Sequence, residues 1–316
     1  MSRQTPESSA IETLRTGPDL FRVLCQVAAA AVVATLGWII YEIVIAAWPA
    51  IGEFGFGFLT SSAWVPNREK FGVFPFIVGT AVSSFIAILL ALPLGLSIAI
   101  FLSENFLPLP VRQTIRFVIE MLAAIPSVVY GLWGIFVVIP LVKIFGDWAI
   151  IHLGFIPLFS GPAYGNSTLT ASIVLALMIL PTLTAISRNS LTAVPKTLRE
   201  GAYALGATRW EAILGVILPA AAPGVVAATI LALGRAMGET MAVAMLIGNS
   251  SRFSLSVLSP GGTLAGLLAN QFGEADGLQV NSLMYAALIL VLITLAVNLA
   301  GEAVLRYTQR QTAGIR

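Results

Sequence analysis

Two charged residues of opposite sign, Arg235 and Glu239, stand in an apolar run from about Pro223 to Ile247. That run is long enough to cross a bilayer. At the bilayer centre each charge costs roughly 2.5–3.5 kcal/mol on insertion scales, so each needs a partner or a task. They are four residues apart, a spacing that puts both on one face of a continuous helix. Gly234 and Gly238 share the same spacing and predict a stripe where another helix approaches closely. The segment reads as a packed membrane helix that offers one positive and one negative group to a polar path.

The elements that must position this pair follow from composition. The 316 residues are 58% hydrophobic and only 10% charged, against about 25% charged in a soluble domain. The chain is therefore an all-α integral membrane protein. Cys25 is the only cysteine and His152 the only histidine, which excludes an internal disulfide and argues against a cysteine or histidine metal site. His152 reads as a packing or surface residue. Scattered basic residues give no nucleic-acid footprint. Residues 1–20 read as a polar cytoplasmic tail with no signal-peptide pattern.

Six spans are expected: Phe21 to Trp48, Phe74 to Leu102, Val111 to Val142, Leu169 to Ile186, Pro223 to Ile247 and Leu283 to Leu305. They form one permease domain over 21–307, with a second tail over 308–316. Pro93 and Gly95 predict a kink or close contact in the second span. The third is expected to break at Ala123-Ala124-Ile125-Pro126-Ser127, one turn after Glu120, whose role stays open between gating and interfacial placement. Glu42 reads as a carboxylate at headgroup level. Lys143 to Gly165 reads as an outer loop. Ser187 to Ala222 reads as two short helices separated by Gly206. Thr208 and Glu211 would form a capping box, and Pro219 would end the second helix.

Arginine and lysine set the orientation. Arg3, Arg15, Arg22, Arg112, Arg116, Arg188, Lys196, Arg199, Arg209, Arg306, Arg310 and Arg316 fall on the side of the termini; Arg68, Lys70, Lys143 and Arg252 fall on the other. Twelve against four puts both termini and the 187–222 loop in the cytoplasm.

That loop carries Glu200-Gly201-Ala202, then Gly206, then Val216-Ile217-Leu218-Pro219. It resembles the EAA loop of ABC importer permeases, with Gly201 in place of the middle alanine and Val216 in place of isoleucine. The segments 122–131, 160–165 and 234–243 extend the resemblance, from about Ala47 to the C-terminus, to the PstC family of phosphate-importer permeases. The neighbouring PstA family is the closest alternative; motif order and the long outer loops favour the first.

The resemblance implies a type I ABC importer permease bundle in the bacterial inner membrane. Glu200, Gly201, Ala202, Gly206, Leu218 and Pro219 would form and anchor the coupling helix that docks on an ATPase. It further implies a second, PstA-like permease subunit, a PstB-like ATP-binding dimer and a PstS-like extracytoplasmic phosphate-binding protein. No G-x-x-x-x-G-K-[ST] loop is present. The chain is thus expected to be no enzyme and to hold no cofactor; ATP and Mg would belong to the separate ATPase.

For a phosphate path, Arg235 supplies a guanidinium fork that matches two phosphate oxygens. Glu239 would accept a hydrogen bond from a P–OH, which sulfate lacks, and would hold Arg235 while the site is empty. The competing reading is a purely structural ion pair. Rival functions are a permease for another oxyanion and an ion-coupled secondary transporter; six spans without an evident inverted repeat argue against the second.

Overall fold

A computed structural model describes residues 20–104 and 106–313. The expected tail over 1–20 lies, but for Leu20, outside the described residues, as does the end of the second tail. The described chain is helical, with one isolated antiparallel bridge between Val65 and Lys70. The helices that matter are α1 (Leu20–Phe54), α2 (Phe74–Ser103), α3 (Leu109–Ala124), α4 (Ser127–Leu153), α5 (Thr168–Thr192), α6 (Lys196–Ala204), α7 (Arg209–Gly238), α8 (Met241–Leu246), α9 (Leu264–Gln271) and α10 (Gly277–Ala313). Six of them, α1, α2, α4, α5, α7 and α10, are long and apolar enough to span a membrane.

Helix α5 is the axis of the bundle. It is the most buried span, and α2 and α7 flank it. Its Val174, Leu175, Ile179 and Leu183 pack against Ala87 and Ala91 of α2 and Ala232 and Ala236 of α7. Small residues set the spacing, as expected where apolar lipid removes most of the hydrophobic drive for helix association. Gly95 of α2 meets Leu183, Gly224 of α7 meets Ser190 of α5, and Gly301 of α10 meets Ile230 of α7. Helix α10 packs on α7, and α1 packs chiefly on α10. At the end away from α6, Phe58, Trp64, Phe71, Phe76 and Tyr285 form an aromatic cluster. Phe58 stacks on Tyr285 at 4.6 Å between centroids.

Proline chemistry corrects three expectations. The break at 123–127 is present: α3 ends at Ala124, Ile125 is extended at ψ 126° and α4 starts at Ser127. Pro126 disfavours the helical region at Ile125. The span, however, is α4, not Val111 to Val142. The first half of the expected span is the separate amphipathic helix α3, where exposed Arg116 and Glu120 pair at 2.7 Å. Consequently residues 143–153 of the expected outer loop belong to a membrane helix.

Pro219 does not end a helix either. The backbone widens into a π turn over Ile213–Ile217 and α7 continues through Pro219 and Pro223. A second π turn, Gly134–Val138, precedes Pro140 in α4 in the same way. Proline has no N–H for the carbonyl four residues back, and the wider turn lets the helix continue around that gap.

Gly206 ends α6 as expected. It sits at φ +85°, and the bonds Gly206 N–H to Tyr203 O and Ala207 N–H to Ala202 O close a Schellman turn. Thr208 and Glu211 form the expected capping box at the start of α7. Gly206→Ala is expected to cost about 1–2 kcal/mol, because Cβ disfavours the left-handed region. The change should lower the melting temperature of the chain in detergent and speed proteolysis between α6 and α7. An unchanged melt would mean that the turn tolerates a side chain.

Candidate functional site

The first candidate site lies where two helix breaks meet beside α5. Helix α7 ends at Gly238, Glu239 is extended at ψ 128°, and α8 begins at Met241. Arg235 therefore occupies the last turn of α7, and Glu239 occupies the break. This corrects the expectation of a continuous helix from Pro223 to Ile247 with both charges on one face. Among the described residues no ion pair joins them. Arg235 Nη1 instead donates to Thr182 Oγ1 of α5 over 3.4 Å. The position suits a cation, because the unpaired carbonyls of a helix C-terminus carry partial negative charge.

The glycines divide in the same way. Gly234 lies against Asn298 of α10, whereas a Cβ on Gly238 would meet nothing within 4 Å. Only Gly234 makes the close helix approach expected of both. The other break, between α3 and α4, comes to the same region. Gly131 of α4 packs on Ala242 and Met245 of α8. Tyr130 beside it donates its hydroxyl to Leu122 O at 2.9 Å. Arg235 is exposed and Glu239 half-buried. Of its five donors, Arg235 spends one on a long bond. The rest of the fork is open to an anion on a side that this chain leaves uncovered.

Thr182, Tyr130 and Asn298 were not singled out from the sequence. Their signal was a polar group within an apolar span, the same signal that marked Arg235.

The second candidate site is the α6 knob. Glu200 and Gly201 are exposed, and a Cβ on Gly201 would meet nothing within 4 Å. Ala202 is buried under the helix, and Leu205 at its end is 91% exposed. Leu218 and Pro219 are not part of the knob; they sit inside α7. Leu218 packs on a cluster of Ala99, Ile100, Leu191, Ile213 and Ile217 that joins α2, α5 and α7. Sequence spacing marked Glu200 and Gly206 but gave no sign of Leu205.

Residues 91–313 match the family described as "Binding-protein-dependent transport system inner membrane component". The chain belongs to that family. Among its relatives is the "Phosphate transport system permease protein PstC" of Mesorhizobium japonicum, 43% identical over 281 residues, covering 87% of this chain and 86% of the relative. The protein of the same name from Haemophilus influenzae is 41% identical over 301 residues, covering 94% and 95%. The "Probable ABC transporter permease protein YqgH" of Bacillus subtilis is 39% identical over 241 residues, covering 75% and 73%.

Solved structures share the fold. A chain of a bacterial alginate ABC transporter, in complex with a periplasmic protein, superimposes with a TM-score of 0.58 at 14% identity, covering 89% of this chain and 95% of that one. A chain of the inward-facing MetNI methionine ABC transporter gives 0.51 at 19% identity, covering 75% and 94%. This family member is thus a multi-pass inner-membrane transport component with the type I importer permease fold.

Proposed function

We propose that this chain is one of two membrane subunits that together form the pathway for inorganic phosphate in an ATP-driven importer. The observation that carries the reading is Arg235: a guanidinium held at a helix break inside the membrane domain, with most of its donors unspent. Its fork fits two oxygens of a tetrahedral oxyanion. The relatives named for phosphate transport supply the substrate. Glu239 accepts a hydrogen bond from a phosphate that retains a proton and repels sulfate, which has none.

The remaining parts follow from that assignment. A PstA-like subunit lies across the pathway. A PstB-like pair binds ATP and Mg and grips α6 through Glu200, Gly201 and Ala202. Gly206 shapes the end of the knob, while Leu218 and Pro219 seat α7 above it. A PstS-like protein delivers phosphate from outside. Both termini are cytoplasmic by the basic-residue count. The chain hydrolyses nothing itself.

Proteoliposomes that hold the four components test this. Phosphate uptake should require both ATP and the binding protein. Glu200→Ala should lower it by about tenfold or more, within the range of ordinary coupling free energies. Phosphate uptake that needs neither ATP nor the binding protein would sink the reading in favour of an ion-coupled carrier.

A further inference from the structure

We propose that Arg199 is the positioning residue through which α6 moves the membrane core, because it ties α6 to the ends of α2 and α5 at once. The proposal rests on the importer reading above. Arg199 stands one position before Glu200 on α6, but its guanidinium turns towards the core. Nη1 pairs with Glu104 Oε1, and Nη2 donates to Leu191 O at 2.6 Å. Glu104 immediately follows α2, where its own N–H bonds Ile100 O at 2.9 Å. Leu191 lies in the last turn of α5, and its carbonyl also accepts a longer bond from Val194 N–H at 3.4 Å.

This ion pair differs from the other two among the described residues. Those two join residues four apart on one helix and are about half exposed or more. Arg199 and Glu104 are 95 positions apart and only 18% and 13% exposed. An exposed pair contributes little to stability. Removing one member of a buried pair strands the other charge. Beside the pair, Phe106 stacks on Trp210 at 5.3 Å and Arg209 lies 5.8 Å from the Phe106 centroid. That contact joins the segment after α2 to the first turn of α7. A cavity of about 280 Å³ lined by Glu104, Phe106, Arg199, Tyr203, Arg209 and Ile213 borders the pair.

The chain itself connects α6 to α5 and α7 only. Helix α2, the largest neighbour of α5, has no covalent link to α6. Arg199 supplies it. A force on the exposed face of α6 then reaches α2 and α5 together, and the bundle moves as a unit while the knob does not swing alone. The two bonds diverge from one planar fork, which a lysine ammonium does not reproduce.

The test uses the reconstituted complex with a Cys25→Ser, Met241→Cys chain. Met241 is exposed beside the Arg235–Glu239 break, and its labelling by a membrane-impermeant thiol reagent reports movement there with and without ATP. Arg199→Gln should keep ATP hydrolysis within about twofold and lose at least about tenfold in phosphate moved per ATP, a loss of ordinary coupling size. ATP should no longer change Met241→Cys labelling. The exchange Glu104→Arg with Arg199→Glu should restore only part of both, because a carboxylate at position 199 re-forms the pair with α2 but cannot donate to Leu191 O of α5.

Unchanged transport per ATP and an unchanged labelling response in Arg199→Gln would overturn the proposal. If Arg199→Gln fails to assemble, Glu104→Gln decides: an uncoupled complex supports the proposal and a coupled one overturns it. A wild-type complex whose labelling responds to ATP but which moves no phosphate refutes the phosphate reading alone, and the Arg199 comparison then stands on labelling. A wild-type complex whose labelling ignores ATP overturns the proposal.

Discussion

Arg235→Gln is expected to abolish phosphate uptake while leaving the chain assembled with its partners. Glutamine keeps a polar side chain and some length but loses the charge and the fork. Charge-assisted hydrogen bonds contribute about 1.5–3 kcal/mol each, so losing two costs at least about a hundredfold. Arg235→Lys retains the charge as a point source and should fall between wild type and glutamine. Assembly should survive, because within this chain Arg235 makes one long bond, to Thr182, and is exposed. Glu239→Gln should relax discrimination against sulfate more than it lowers phosphate uptake. The readouts are uptake, sulfate competition and co-purification of partners. Partners lost in step with uptake would assign Arg235 to packing; undiminished uptake would remove it from the pathway.

Gly79→Ala is expected to be the most damaging small change away from that site. Gly79 in α2 faces the carbonyl of Gly262, and a methyl group there would overlap that oxygen. The carbonyl belongs to a backbone with little freedom. Ser250 N–H bonds Gly261 O at 2.8 Å, Gly261 N–H bonds Ile247 O at 2.9 Å, and Leu264 N–H bonds Thr80 Oγ1 at 3.0 Å. Overpacking of this kind costs about 1–3 kcal/mol. That offsets the roughly 1 kcal/mol alanine gains over glycine in a helix. Gly37→Ala in α1 is the control, since a Cβ there would meet nothing within 4 Å. In detergent Gly79→Ala should melt below wild type and Gly37→Ala at or above it. Coincident melts would show that the loop yields.

The number of spans was legible because twenty-odd apolar residues in a row have few alternatives, but the bounds of the third and fifth were not. The capping box and Gly206 were legible because each rests on local geometry within three or four residues. Pro126 was legible as a break but Pro219 was not, because one residue type acts in two ways. Pro126 ends a helix through the extended Ile125, while Pro219 and Pro140 sit inside helices that widened ahead of them. The charges of Arg235 and Glu239 could be read, but their relation could not. Four-residue spacing means one face only if the helix is unbroken, and here it breaks between Gly238 and Met241 without a proline. Glu104 and Arg199 were illegible as a pair, since only the fold brings positions 95 apart together.

The pairing of α1 with α10 orders events during synthesis. Asn281 Nδ2 donates to Ala46 O at 2.6 Å across 235 positions of chain, and Tyr285 donates to Gly55 O at 3.2 Å. At roughly 5–20 residues per second a ribosome needs about ten to fifty seconds to cover that distance. Helix α1 thus waits for α10. Its most apolar stretch buries nothing in the finished bundle, a surface already suited to waiting in lipid. Assembly therefore includes the return of a late segment to an early one, and a chain that stops short of Gly277 leaves α1 without its chief neighbour.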